Sequence, residues 1–155
     1  MKEQASALEE GKADVLGLYM VTKLHEQGEL GAAPLEDYYV TFLASIFRSV
    51  RFGASSAHGR ANMARFNYFA ERGAFSRDAQ SGTYRVDMPK LREAMNALSA
   101  QILTFQGNGD YDGVSGFVAT YGVIPPELQR DLDRVNAAGI PVDVVFEQGR
   151  SVLGL

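Results

Sequence analysis

Between Pro34 and Gly53, Leu35, Tyr38, Tyr39, Phe42, Leu43, Ile46, Phe47 and Val50 recur at steps of three and four. Such a stripe can be buried as a unit only on one face of an α-helix, so it predicts a helix that starts at the proline and stops at the glycine. The same logic reads five more helices. The first runs from about Ala7 to Glu26, with Val15, Leu18, Tyr19 and Thr22 along one face and Gly28 and Gly31 behind it. The third opens at Ser55 or Ser56, continues through Glu71 and is closed by Gly73. Asp87 and Pro89 start a fourth, whose seam of Leu91, Met95, Leu98, Ile102 and Phe105 leads to Gly107. A shorter fifth spans about Asp112 to Tyr121, and Pro125-Pro126 open a sixth with Leu128, Leu132 and Val135 inward and Gly139 after it. Ala74 to Ser76 and Thr83 to Val86 read as a small β-hairpin, in which Gly82 can take positive φ. Val142 to Phe146 reads as strand-like. The expectation is a mainly α, helical bundle-like single domain over residues 1–155, with about six helices, a small β-hairpin and a C-terminal strand-like segment.

At 155 residues the chain can bury one sizeable core. Its formal charge of −4, with no Lys/Arg-rich block, excludes a general nucleic-acid or anionic-membrane binder. With no cysteine there is neither a disulfide nor a thiolate metal site, so a zinc ion here would need His, Asp or Glu. The N-terminus lacks a signal-peptide pattern and no apolar run approaches the roughly 20 residues of a membrane span. The expected setting is soluble and cytoplasmic.

Three acids, Glu9, Glu10 and Asp14, crowd the start of the first helix. Glu10 and Asp14 are four apart and share a face, while Glu9 points elsewhere. Ser6 and Glu9 have the spacing of a capping box. Two readings account for the group: acids complementing the helix dipole, or a carboxylate face offered to a metal or substrate. His58, Asn62 and Arg65 likewise share one face of the third helix. Other fragments carry less. His25-Glu26-Gln27-Gly28-Glu29 begins like HExxH, but Glu29 replaces the second histidine and Gly28 breaks the helix. Asn108 to Gly113 resembles the front of a calcium loop, but Ala119 occupies its twelfth position, and capping by Asp110 or Asp112 is the better reading. With two histidines and no nucleophile motif, a self-contained catalytic triad is not expected.

Leu8-Glu9-Glu10-Gly11-Lys12-Ala13-Asp14, followed by Val15-Leu16-Gly17-Leu18-Tyr19, resembles the second zinc motif of the dipeptidyl peptidase III family, EExxA[ED] with an apolar GLY-containing run. Ala57-His58-Gly59-Arg60-Ala61-Asn62-Met63-Ala64-Arg65-Phe66 resembles that family's AH…ARF helix, and Gly109-Asp110 to Tyr121 its GD…GG…Y segment. The order and rough spacing agree from Ser6 to about Phe146.

The resemblance implies a zinc exopeptidase that releases dipeptides from peptide N-termini. It implies Glu10 as a zinc ligand, Glu9 as an acid near the metal and its bound water, Asp14 as the acceptor that orients a zinc-bound histidine, and His58 as the group that steadies the substrate carbonyl in the transition state. This sequence is three residues longer than AHxxARF, which leaves Arg60 and Arg65 as alternative matches to the family arginine. The family's HExxGH motif, source of two zinc histidines and the general base, does not occur in the 155 residues. The resemblance therefore implies the C-terminal part of such an enzyme, inactive alone, whose partners are a peptide substrate and the remainder of the peptidase carrying HExxGH. Zinc belongs to the complete site. The alternative is a non-catalytic helical interaction or peptide-binding module. Both readings imply exposed apolar surface, which homo-oligomerisation could cover.

Overall fold

The computed structural model describes residues 2–144 and 146–154. A 3-10 turn at Lys2–Gln4 leads directly into helix α1 (Ala5–Glu26), followed by α2 (Leu35–Val50) and α3 (Ala57–Glu71). Strands β1 (Phe75–Arg77) and β2 (Tyr84–Val86) form an antiparallel pair with Phe75 opposite Val86 and Arg77 opposite Tyr84. Helices α4 (Met88–Asn108), α5 (Tyr111–Tyr121) and α6 (Pro126–Ala137) complete the body, and a single turn, α7 (Arg150–Leu153), lies near the end. The mainly α architecture with a small hairpin is as the sequence implies.

Helix α3 is the axis of the molecule. It packs on α1, α2, α4, α5 and β1. Its buried residues include Ala61, Met63, Ala64, Phe66, Tyr68 and Phe69, so apolar side chains leave it in nearly every direction. A helix buried on most of its circumference is a core helix, and the others wrap α3 with one face each, leaving its polar stripe toward α1. Helix α2 contributes Tyr39, Leu43, Ile46 and Val50, at steps of four, three and four. Helix α4 contributes Leu91, Ala94, Met95, Leu98 and Ile102. Thr22, a polar residue carried into this core, is fully partnered. The Thr22 hydroxyl donates to the Leu18 carbonyl at 2.9 Å and lies 2.9 Å from Tyr39 Oη, joining α1 to α2.

Side-chain caps set the starts of three helices. Ser56 Oγ accepts from Gly59 N–H, Asp87 from Lys90 N–H and Asp110 from Gly113 N–H, each satisfying an orphan amide in a first turn. Gly109, at φ 64°, closes α4 one residue beyond Asn108 and two beyond the expected stop. At Gly59, a Cβ would run into the backbone of Gly53 and Ala54, so the start of α3 can sit against the end of the α2 loop only with glycine there.

Two expectations change. The capping box is not formed: α1 begins at Ala5 with Gln4 at the cap position, and no side chain caps it. The upstream turn places Ser6 inside the helix, and Glu9 bonds elsewhere. The C-terminal segment expected to be strand-like has no strand among the described residues; Val145 and Leu155 lie outside them. Alternation alone does not make a strand without a sheet edge to pair with, and among the described residues the sheet consists of β1 and β2. Instead, Arg51, immediately after α2, donates to the carbonyls of Ile140 and Pro141 and to Asn136 Oδ1, and Arg48 of α2 pairs with Asp143 at 2.9 Å. These contacts lay the chain after α6 along α2.

Candidate functional site

Helices α1 and α3 approach closely because small residues meet. A Cβ added at Gly11 would lie 3.9 Å from the Ala61 Cβ, ordinary contact distance. That close approach brings the acidic face of α1 against the polar face of α3. Glu10 Oε2 lies 3.1 Å from His58 Nε2, and both side chains are solvent-accessible, 37% and 66% exposed respectively. One turn further along α1 and two turns further along α3, Asp14 Oδ2 pairs with Arg65 Nη1. The two pairs succeed each other in the same order on both helices, as expected of helices running in the same direction. Thus Glu10, Asp14, His58, Asn62 and Arg65, singled out from the sequence, form one continuous patch.

Arg65 is the unusual member. Its side chain is 4% exposed, whereas that of its partner Asp14 is 42% exposed. Burial pushes the guanidinium pKa down from its ordinary value, and the charges of Asp14 and then Glu10 act in the opposite sense. Its Nη2 donates to Asn62 Oδ1, and Asn62 Nδ2 donates to Ser49 Oγ at 2.7 Å and to the His58 carbonyl at 2.8 Å. The Phe42 ring lies 5.3 Å from the guanidinium carbon. Arg60, the alternative match to the family arginine, turns back to donate to the Ser55 carbonyl at 2.7 Å. Arg65 is the arginine that reaches the acidic face.

Glu9 is not part of this patch. It pairs with Lys12 at 2.7 Å and accepts from Gln106 of α4, and Lys12 is the main reason its carboxyl is held below the usual range. His25 is removed from the patch too, its Nε2 lying 2.9 Å from the Ala33 carbonyl at the end of α1. Among the described residues, no three His, Cys, Asp or Glu side chains come together as a metal-holding group. Glu10 offers a carboxylate of the kind zinc accepts, but a catalytic zinc site usually takes three protein ligands.

Sequence reasoning missed a second charged cluster. Asp131 of α6, with its side chain 8% exposed, accepts Arg77 Nε and Nη2, both at 2.7 Å, and Tyr84 Oη at 2.7 Å. Arg134 Nη1 adds a contact at 3.2 Å. Arg77 holds the Asp131 carboxyl well below its ordinary range, and burial with the Asp131 contact raises the Tyr84 hydroxyl. The only signal in the sequence was an acid beside Leu128 and Leu132 on the inward side of a helix.

No protein-family model matches the chain. Over 144 residues it is 40% identical to Nudix hydrolase 3 of Arabidopsis thaliana; the match takes in 93% of this chain and 18% of that protein. That name describes a protein of which the shared segment is less than a fifth. Two solved structures are similar in both sequence and fold. Dipeptidyl peptidase III from Caldithrix abyssi matches with TM-score 0.87 and 37% identity, over 92% of this chain and 27% of that one. Dipeptidyl-peptidase III from Corallococcus sp. strain EGB matches with TM-score 0.86 and 35% identity, over 92% and 26%. The chain thus spans about a quarter of the length of these structures. In sequence and fold, it corresponds to a portion of a dipeptidyl peptidase III-like protein.

Proposed function

We propose that this chain supplies one wall of a zinc-dependent dipeptidyl peptidase site and that residues outside its 155 complete the site. The observation that carries this reading is the shared α1 face on which Glu10 and Asp14 meet His58 and Arg65, in a fold similar to dipeptidyl peptidase III structures. In this reading Glu10 is a zinc ligand, and Asp14 accepts the outer N–H of a zinc-bound histidine. When bound, zinc supplies Lewis acidity and a bound water of lowered pKa. His58 donates to the carbonyl oxygen of the peptide substrate as negative charge develops there. Its present partner, Glu10, must release it for this role, and both side chains are exposed enough to move. Glu9 acts near the metal and its water only if it leaves Lys12 and Gln106. Zinc, peptide substrate, a partner segment carrying HExxGH and a cytoplasmic setting all belong to this proposal. No helix among the described residues is long and apolar enough to cross a membrane.

In a protein that joins this chain to HExxGH, Glu10→Ala is expected to abolish zinc retention and dipeptide release. Glu29→Ala, in the loop after α1, is expected to leave both intact. Equal effects from the two substitutions would contradict the assignment.

A second reading, a non-catalytic interaction module, draws on the exposed apolar side chains after α6. Ile140, Val142, Val144, Phe146, Val152 and Leu153 are all at least 40% exposed. Sedimentation of the isolated chain tests it: concentration-dependent dimerisation that disappears in Phe146→Ser would favour that reading or a homo-oligomer.

A further inference from the structure

We propose that Arg65 is the positioning residue of the site: it holds Asp14 by one carboxylate oxygen and leaves the other to accept an N–H from a zinc-bound imidazole. The inference rests on the reading of Asp14 given above. Its support is the way the guanidinium is built in. Arg65 projects from a helix whose other inward residues are mostly apolar, so its burial carries a desolvation cost that an apolar side chain of similar length would avoid. A buried ion pair of this kind is weak support for stability, which leaves orientation as the property it supplies best.

The orientation is set from behind. Ser49 of α2 fixes Asn62, Asn62 accepts Arg65 Nη2, and Nη1 is thereby aimed at Asp14 Oδ2 across the helix interface. The Phe42 ring lies against the guanidinium, its centroid 5.3 Å from the guanidinium carbon. Two nitrogens serving two different residues require a planar fork, which lysine lacks. Arg65 Nε, buried and without a hydrogen-bond partner, is consistent with a side chain placed for its terminal nitrogens. Asp14 Oδ1 takes no part in the Arg65 contact and belongs to a side chain open to an approaching group.

The test is zinc affinity, measured by chelator competition on the protein that joins this chain to HExxGH. Substituting residues that orient a metal ligand typically weakens affinity about 10- to 100-fold, and that loss is expected for Arg65→Met and for Asp14→Asn. Because Arg65 acts through Asp14, the double variant should bind zinc no more weakly than Asp14→Asn alone. A purely structural arginine would lower the melting temperature without this non-additive pattern in zinc affinity. Arg65→Lys, which keeps the charge and loses the fork, is expected to fall between wild type and Arg65→Met, and it carries the test should Arg65→Met not fold. Wild-type affinity in a folded Arg65→Met or Arg65→Lys protein, alongside zinc loss in Glu10→Ala, overturns the inference. Zinc retention in Glu10→Ala overturns the underlying reading instead.

Discussion

Asp131 and Asp14 each face an arginine from another element, but Asp131 has filled its acceptor capacity and Asp14 has not. The Asp131 carboxylate takes four donors, two from Arg77 and one each from Tyr84 and Arg134, and is almost sealed from water. Four is about what two carboxylate oxygens can accept, so nothing further can bind there. Asp14 takes one donor and remains 42% exposed, and Glu10 beside it is engaged only by the exposed His58. The acid sealed by its partners fastens the hairpin to α6. The acids left open stay accessible to solvent and can accept further donors. A carboxylate next to an arginine is therefore uninformative until its remaining acceptor capacity and exposure are known.

The comparison can be broken by mutation on the isolated chain, with stability read from urea denaturation. The largest effect is expected from Asp131→Ala, which strands Arg77 and the Tyr84 hydroxyl and should cost about 3 kcal/mol. A loss below about 1 kcal/mol would show that the cluster is not structural. Tyr84→Phe, which removes one hydrogen bond to a charged acceptor, should cost about 1.5 kcal/mol. Glu10→Gln should change stability by less than about 0.5 kcal/mol, as expected for an exposed pair. If it instead matched Asp131→Ala, the distinction between a sealed and an open carboxylate would fail.

Acid sharpens the same contrast. Asp131 titrates below its ordinary value in the fold, so the folded state binds fewer protons there than the unfolded state. Its contribution is complete above the ordinary Asp pKa, about 3.9, and is lost as pH falls from there through the lowered folded value. The stability gap between wild type and Asp131→Asn should therefore narrow between about pH 5 and pH 2. A gap unchanged over that interval would contradict the assigned direction.

Much of this was legible in the sequence, for identifiable reasons. Helix α2 was read to its ends because its stripe is regular and a proline and a glycine bracket it. Glu10 with Asp14, and His58 with Asn62 and Arg65, were legible as shared faces because helical spacing alone determines them. That the two faces meet was not legible, since it depends on Gly11 approaching Ala61 across two helices. Ser6 misled because the cap position depends on where the preceding turn ends, and Lys2–Gln4 already winds into the helix. Asp131 was passed over because Arg77 is 54 residues away, and local spacing says nothing about such a partner. The segment after α6 has strand-like alternation, but Arg51 claims the carbonyls of Ile140 and Pro141.

The measurement that bears most directly on the central claim is zinc titration of this chain with and without a segment carrying HExxGH. The account expects no stoichiometric submicromolar binding by the chain alone. It expects one zinc per molecule when the segment is present, lost again in Glu10→Ala. One zinc bound at submicromolar affinity by the isolated chain, or unchanged binding in Glu10→Ala, would contradict it.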